Sequence, residues 1–135
     1  MTILHNDTVT IFNKISTGRG QATWKATIIE GCHVENSQGA VLNKYGSDTD
    51  NKVEVYLPSD DFRKQKAWLH EQECFTAQTG IDLILIGSWT GESEINDADY
   101  PKGFDDYLLK SFDDVYRINN VSLFKLIPHL ELGCG

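Results

Sequence analysis

The chain has 135 residues, 40% of them hydrophobic and 24% charged, with a formal net charge of −8 at pH 7. That length reads as one domain, 1–135, able to bury roughly 70% of its unfolded surface, and the composition excludes wholesale disorder. The charge excludes ordinary nucleic-acid binding, which needs lysines and arginines to displace phosphate counterions; DNA is expected only as a passing, non-specific neighbour of an acidic wall.

No apolar run approaches the roughly 20 residues of a membrane helix, so no membrane partner is expected. The opening "MTILHNDTVT" carries no basic segment followed by an apolar one, which predicts a chain that starts in a cytoplasm. Cys32, Cys74 and Cys134 are odd in number and widely spaced, which fits a reducing compartment and no disulfide framework.

In chain order, "TVTIFNK" (8–14) is β-branched and aromatic and predicts a first strand. "STGRGQ" marks a turn. "ATWKATIIEGCHVEN" (22–36) predicts a strand with Trp24, Ala26 and Ile28 on one face and a bend at Gly31. "SQGAVLNKYGSDTDN" (37–51) holds turn residues around a short possible strand. "KVEVYLP" (52–58) alternates cleanly, with Val53, Val55 and Leu57 opposite Glu54 and Tyr56, and ends at Pro58.

Residues 59–75 read as a helix capped by Ser59 or Asp60, with Phe62, Lys66, Leu69 and Glu73 at helical intervals. "IDLILIGSW" (81–89) is a short apolar run of the kind a strand buried on both faces requires. "TGESEINDADYPKG" (90–103) reads as an acidic loop, "FDDYLLKSF" (104–112) as a short helix, and 114–121 and 123–132 as the last two strands. The sum is mainly β: a small antiparallel barrel or sandwich of about six strands with one or two short helices.

Chemistry-bearing motifs are sparse. His70 and Cys74 share a helical face, but two ligands do not make a zinc site, and the four histidines otherwise scatter. In "DADYPKGFDD" (97–106), Asp97 and Asp99 fill the first two ligand positions of an EF-hand loop, but Pro101 takes the third and Lys102 the obligatory glycine. A solvated acidic loop is the preferred reading there. "GRG" (18–20) lacks any phosphate-loop continuation. We therefore expect no catalytic residues, no cofactor and no metal. Trp68, Trp89, Tyr100, Phe104 and Tyr107 lie at element ends or in the long 87–107 segment, and such aromatics serve either as interface anchors or as caps on the core.

The apolar ending "LFKLIPHLEL" poses a related question. Alternation places Tyr116, Ile118, Phe124, Leu126, Leu130 and Leu132 toward the core, and leaves Val121, Leu123 and Ile127 for a neighbouring subunit. Burial of both faces is the rival reading.

"TVTIFNK", "TWKATIIEGCHVE", "VEVYLP", "FTAQTGIDLILIG" and "DVYRINNV…PHLEL" together resemble the minor capsid or head–tail connector proteins of tailed phages and prophages. The chain departs from that pattern at Thr79-Gly80-Ile81-Asp82, in its longer 59–75 segment, and in the apolar "LFKLI" turn. The resemblance implies a β-barrel virion subunit of the neck, made in the host cytoplasm, that forms a homo-oligomeric ring on portal or adaptor proteins and meets tail proteins. The alternative is an acidic interaction or inhibitor module that binds one basic protein.

Overall fold

The computed structural model describes residues 7–18, 21–36, 53–70 and 74–135; the 37–51 segment and the 19–20 part of the glycine turn lie outside them. Seven strands are described: β1 (Asp7–Gly18), β2 (Gln21–Asn36), β3 (Val53–Leu57), β4 (Leu83–Ile86), β5 (Glu94–Asn96), β6 (Val115–Phe124) and β7 (His129–Cys134). With them come two helices, α1 (Gln65–His70) and α2 (Phe104–Ser111), and a 3-10 turn at Asp97–Asp99. Six strands close into an antiparallel barrel in the order β1-β4-β6-β7-β3-β2, because β2 also pairs with β1; β5 is added outside, on β2.

Closure follows from β1 and β2 being long. β1 pairs with β2 from Asp7 to Gly18, while its other edge takes β4 only at Val9–Phe12. At Gly31, with φ +73, β2 turns from β1 toward β3, whose pairing starts at His33–Tyr56. A positive φ is what glycine tolerates and a side chain resists.

Two cores result. All six barrel strands fill the interior, with Val9, Ile11, Cys32, Val53, Val55, Leu57, Ile84, Ile118, Leu130, Leu132 and Cys134 buried, and Phe75 packs among them. The second core lies outside the barrel wall, where Phe12, Trp24, Leu83, Leu85 and Val115 meet Ile95 of β5 and Phe104 and Leu108 of α2. β4 thus buries successive residues in opposite cores, which is why "LILI" is continuously apolar.

Between 59 and 75 the predicted helix starts only at Gln65, because Phe62 bridges back to Phe75 and both rings pack at the barrel core; Glu73, with 71–73, lies outside the described residues. The helix buries Trp68, outside the expected stripe, and its indole N–H donates to the Cys74 carbonyl at 2.8 Å. Lys66 and Leu69 are exposed. In the acidic loop the sequence conceals β5, whose single buried residue, Ile95, is too little for a period-two signal.

The alternation predicted for the last two strands holds in β7, where Leu130 and Leu132 are buried as expected, and in β6 as far as Ile118, after which it inverts. A β-bulge between Ile118 and Asn120 inserts one extra residue in β6. Directly opposed residues share a face, so Val121 opposite Leu132 packs on the barrel core, Leu123 opposite Leu130 shares that side but stays 40% exposed, and Phe124 opposite His129 points outward. Leu126, expected in the core, sits in the turn and is 100% exposed. Ile127 is 77% exposed, as the outward set required.

Two aspartates tie these layers together. The fully buried Asp82 precedes β4 and accepts from Asn13 Nδ2 (2.7 Å), the Lys14 amide (3.0 Å), and the Gln78 amide and Nε2 (2.8 and 2.9 Å). Burial pushes its pKa up to about 6 against the pull of those four donors. On the other side of β1, Asp97 Oδ1 accepts from the Trp24 indole and the Phe104 amide, both at 2.9 Å. It caps α2 from a distance, since the N-cap residue is Gly103. Burial opposes its charge, but those two donors and Lys14 hold its carboxyl below the usual range.

The Asp82 pKa is raised on folding, so its stabilisation is complete below the unfolded value of 3.8 and is lost as pH rises through about 6. In urea unfolding, the stability of wild type relative to Asp82→Asn should fall by about 3 kcal/mol between roughly pH 4 and pH 7; a pH-independent difference would refute the assignment. Asp97→Ala strands two donors and should cost about 2 kcal/mol at neutral pH, with a lower urea midpoint.

Candidate functional site

The outer wall of the barrel carries a groove built from three strands. In antiparallel register His33 lies opposite Tyr56, and Tyr56 opposite Glu131. Since Val34, Val55 and Leu132 face inward, these three side chains stand side by side on the outside. The His33 and Tyr56 rings stack with centroids 5.7 Å apart. Tyr56 Oη donates to Glu54 Oε2 at 2.9 Å, and that hydrogen bond, more than burial, pushes the phenol up to about 12. His33 Nε2 lies 3.2 Å from Glu35 Oε1.

The β6–β7 hairpin tip forms the other wall. His129 is held from two sides, Nδ1 by the Ile127 carbonyl at 2.7 Å and Nε2 by Glu131 Oε2 at 2.8 Å. Both partners only accept, so the geometry selects the doubly protonated imidazolium, and the Glu131 contact, followed by the Ile127 one, raises its pKa. The Phe124 ring lies flat on it, centroids 4.7 Å apart at 4°. Together these residues enclose an open groove of about 490 Å³, with Leu57, Pro58, Ile127 and Pro128 as its apolar sides. No lysine or arginine lines it among the described residues.

The groove's histidines are engaged with glutamates, and no thiol lines it. All three cysteines are buried, and burial pushes the Cys32 and Cys134 thiols up to about 12, where they stay protonated and weakly nucleophilic. Among the described residues, no three His, Cys, Asp or Glu side chains are placed to hold a metal ion. In the acidic segment, Asp97 serves as a cap, Asp105 pairs with Arg117 and Asp106 with Lys110.

The structure gathers four of the aromatic candidates, but around α2. Phe104 is fully buried, and Trp89 and Tyr100 pack on the same core, Trp89 edge-on to Phe12 at 5.4 Å. Its indole folds so closely over Gly91 that an added Cβ would meet the ring at 2.5 Å. Tyr107 joins at the margin, 4.8 Å from Tyr100, and is 38% exposed. Trp68, also fully buried, is separate. Phe104 and Trp68 therefore present no surface to a partner. Leu123 and Ile127 do lie on an exposed element, the hairpin.

Sequence reasoning missed the groove itself. Its residues come from three strands distant in the chain, and the one local hint was the His-x-Glu spacing shared by His33/Glu35 and His129/Glu131, which puts both side chains on one strand face.

No protein of curated function and no solved structure matches this chain. The model of one family, described as a family of unknown function, matches residues 3–135. With almost its whole length matched, the chain belongs to that family, DUF6751.

Proposed function

We propose that this protein is a non-enzymatic structural subunit of the head–tail junction of a tailed phage or prophage, acting as part of a ring in head closure or tail joining. The observation that carries the reading is the hairpin tip: Phe124, Leu126 and Ile127 are 44%, 100% and 77% exposed, and Leu126 and Ile127 exceed every other large hydrophobic side chain among the described residues. Clustered apolar side chains at the end of a projecting turn mark a surface kept for another protein. The local sequence wording shared with minor capsid and connector proteins supports the same reading, as does the acidic wall, past which DNA can move without sticking.

Portal or adaptor proteins on one side and tail proteins on the other are the partners in this reading. The chemistry is geometric: a weak contact repeated around a ring gains avidity that no single contact has. The groove, acidic and without lysine or arginine in its lining, favours one alternative, an acidic module that binds a single basic protein. Symmetry separates the two, since a ring subunit associates with itself around an axis and an inhibitor forms a closed pair.

Deleting the gene from its parent phage and imaging the particles tests the reading. Free tails beside tailless heads that have lost their DNA are the expected result. Filled heads with no assembled tails, or normal infectious particles, would overturn the neck assignment. Leu126→Asp with Ile127→Asp should reproduce the deletion phenotype while changing thermal stability little, because neither side chain is buried in the subunit.

A further inference from the structure

The hairpin tip and the groove have complementary unmet surfaces. Leu126 is wholly exposed, and beside it Lys125 is also exposed. Neither lines the groove of its own chain, whose near wall is made instead by Ile127 and Pro128. The groove offers what those two residues lack: apolar sides from Leu57, Pro58 and Ile127, and carboxylates. With His129 charged and matched to Glu131, Glu35 and the Glu54 that holds Tyr56 Oη still keep the local charge negative.

We propose that the Lys125–Leu126 tip of one copy of this chain docks in the outer-wall groove of a second copy, Leu126 between the apolar sides and the Lys125 ammonium against Glu35 of the lining and Glu54, which lies beside it through its hydrogen bond with Tyr56. A membrane is a poorer occupant for the tip, because a chain of net charge −8 with one lysine at the turn is repelled by anionic lipid. Knob and hole are different residues, so the contact is head-to-tail, and a head-to-tail contact closes into a ring when its rotation permits. This deepens the neck reading by naming the surfaces between ring neighbours, yet the two fail separately: solution self-association tests the contact, and the particle phenotype tests the neck.

Sedimentation of the full-length chain across a concentration series, at low salt, tests the contact. Wild type should self-associate. A tip variant, Lys125→Ser with Leu126→Ser, and a groove variant, Glu35→Lys with Glu54→Lys, should each weaken association by about tenfold or more. All four positions are exposed, and circular dichroism checks that the variants fold. Mixed together, the two variants should form a one-to-one pair that grows no further, because one intact tip then meets one intact groove. A wild type that stays monomeric, variants that associate as wild type does, or a mixture that forms no pair would each overturn the proposal.

Discussion

Closure of the sheet through β1 is the constraint from which the other features follow. β1 bonds to β2 along its length and to β4 over a short stretch, and that second pairing turns a sheet into a barrel. Closure pairs both edges of β1 over Val9–Phe12, whereas β5 pairs only with β2, and β1 beyond Phe12 has no strand but β2 beside it among the described residues. The outer faces of β1, β4 and β6, through Phe12, Leu83, Leu85 and Val115, meet Trp24 of β2, β5 and α2 to build the second core.

The two cores are held in register by polar groups. Asp82 links β1 to the chain entering β4 through four accepted hydrogen bonds, and Asn13 extends that link by donating to the Thr76 carbonyl at 2.7 Å. Asp97 fastens Trp24 of β2 to the start of α2. A buried carboxylate costs free energy unless donors surround it, so each is best satisfied in one arrangement of its neighbours. These contacts specify how the layers sit; the apolar area of the cores supplies most of the driving force.

On the outer wall the same principles leave a surface with unmet capacity. His129, gripped by the Ile127 carbonyl and Glu131 and covered by Phe124, fixes the turn that carries Leu126. A rigid tip loses less entropy on docking than a loose one. An apolar groove with carboxylates at its edge lies next to that tip, and the proposed ring contact uses both. The apolar end of the chain therefore divides its roles: Leu130 and Leu132 fill the barrel, and the turn before them reaches outward.

Much of the barrel was legible because strand faces obey a period of two. Val53, Val55 and Leu57 were assigned inward, and "LILI" to two buried faces, from residue type alone; α2 was readable from Phe104 and Leu108 spaced one turn apart. The rest depended on pairing, which one strand's pattern does not encode. A bulge near Asn119 inverts the faces of the rest of β6, taking Phe124 out of the core where alternation had placed it. Trp68 and Phe104 became core because Cys74 and Trp24 neighbours arrive from elsewhere in the chain, and Asp97 became a cap for the same reason. The groove exists only where residues 33, 56 and 129 are brought into adjacent rows. Sequence determined which residues seek burial and with what period; tertiary structure decided which side each faces and what meets it there, because register is set between strands.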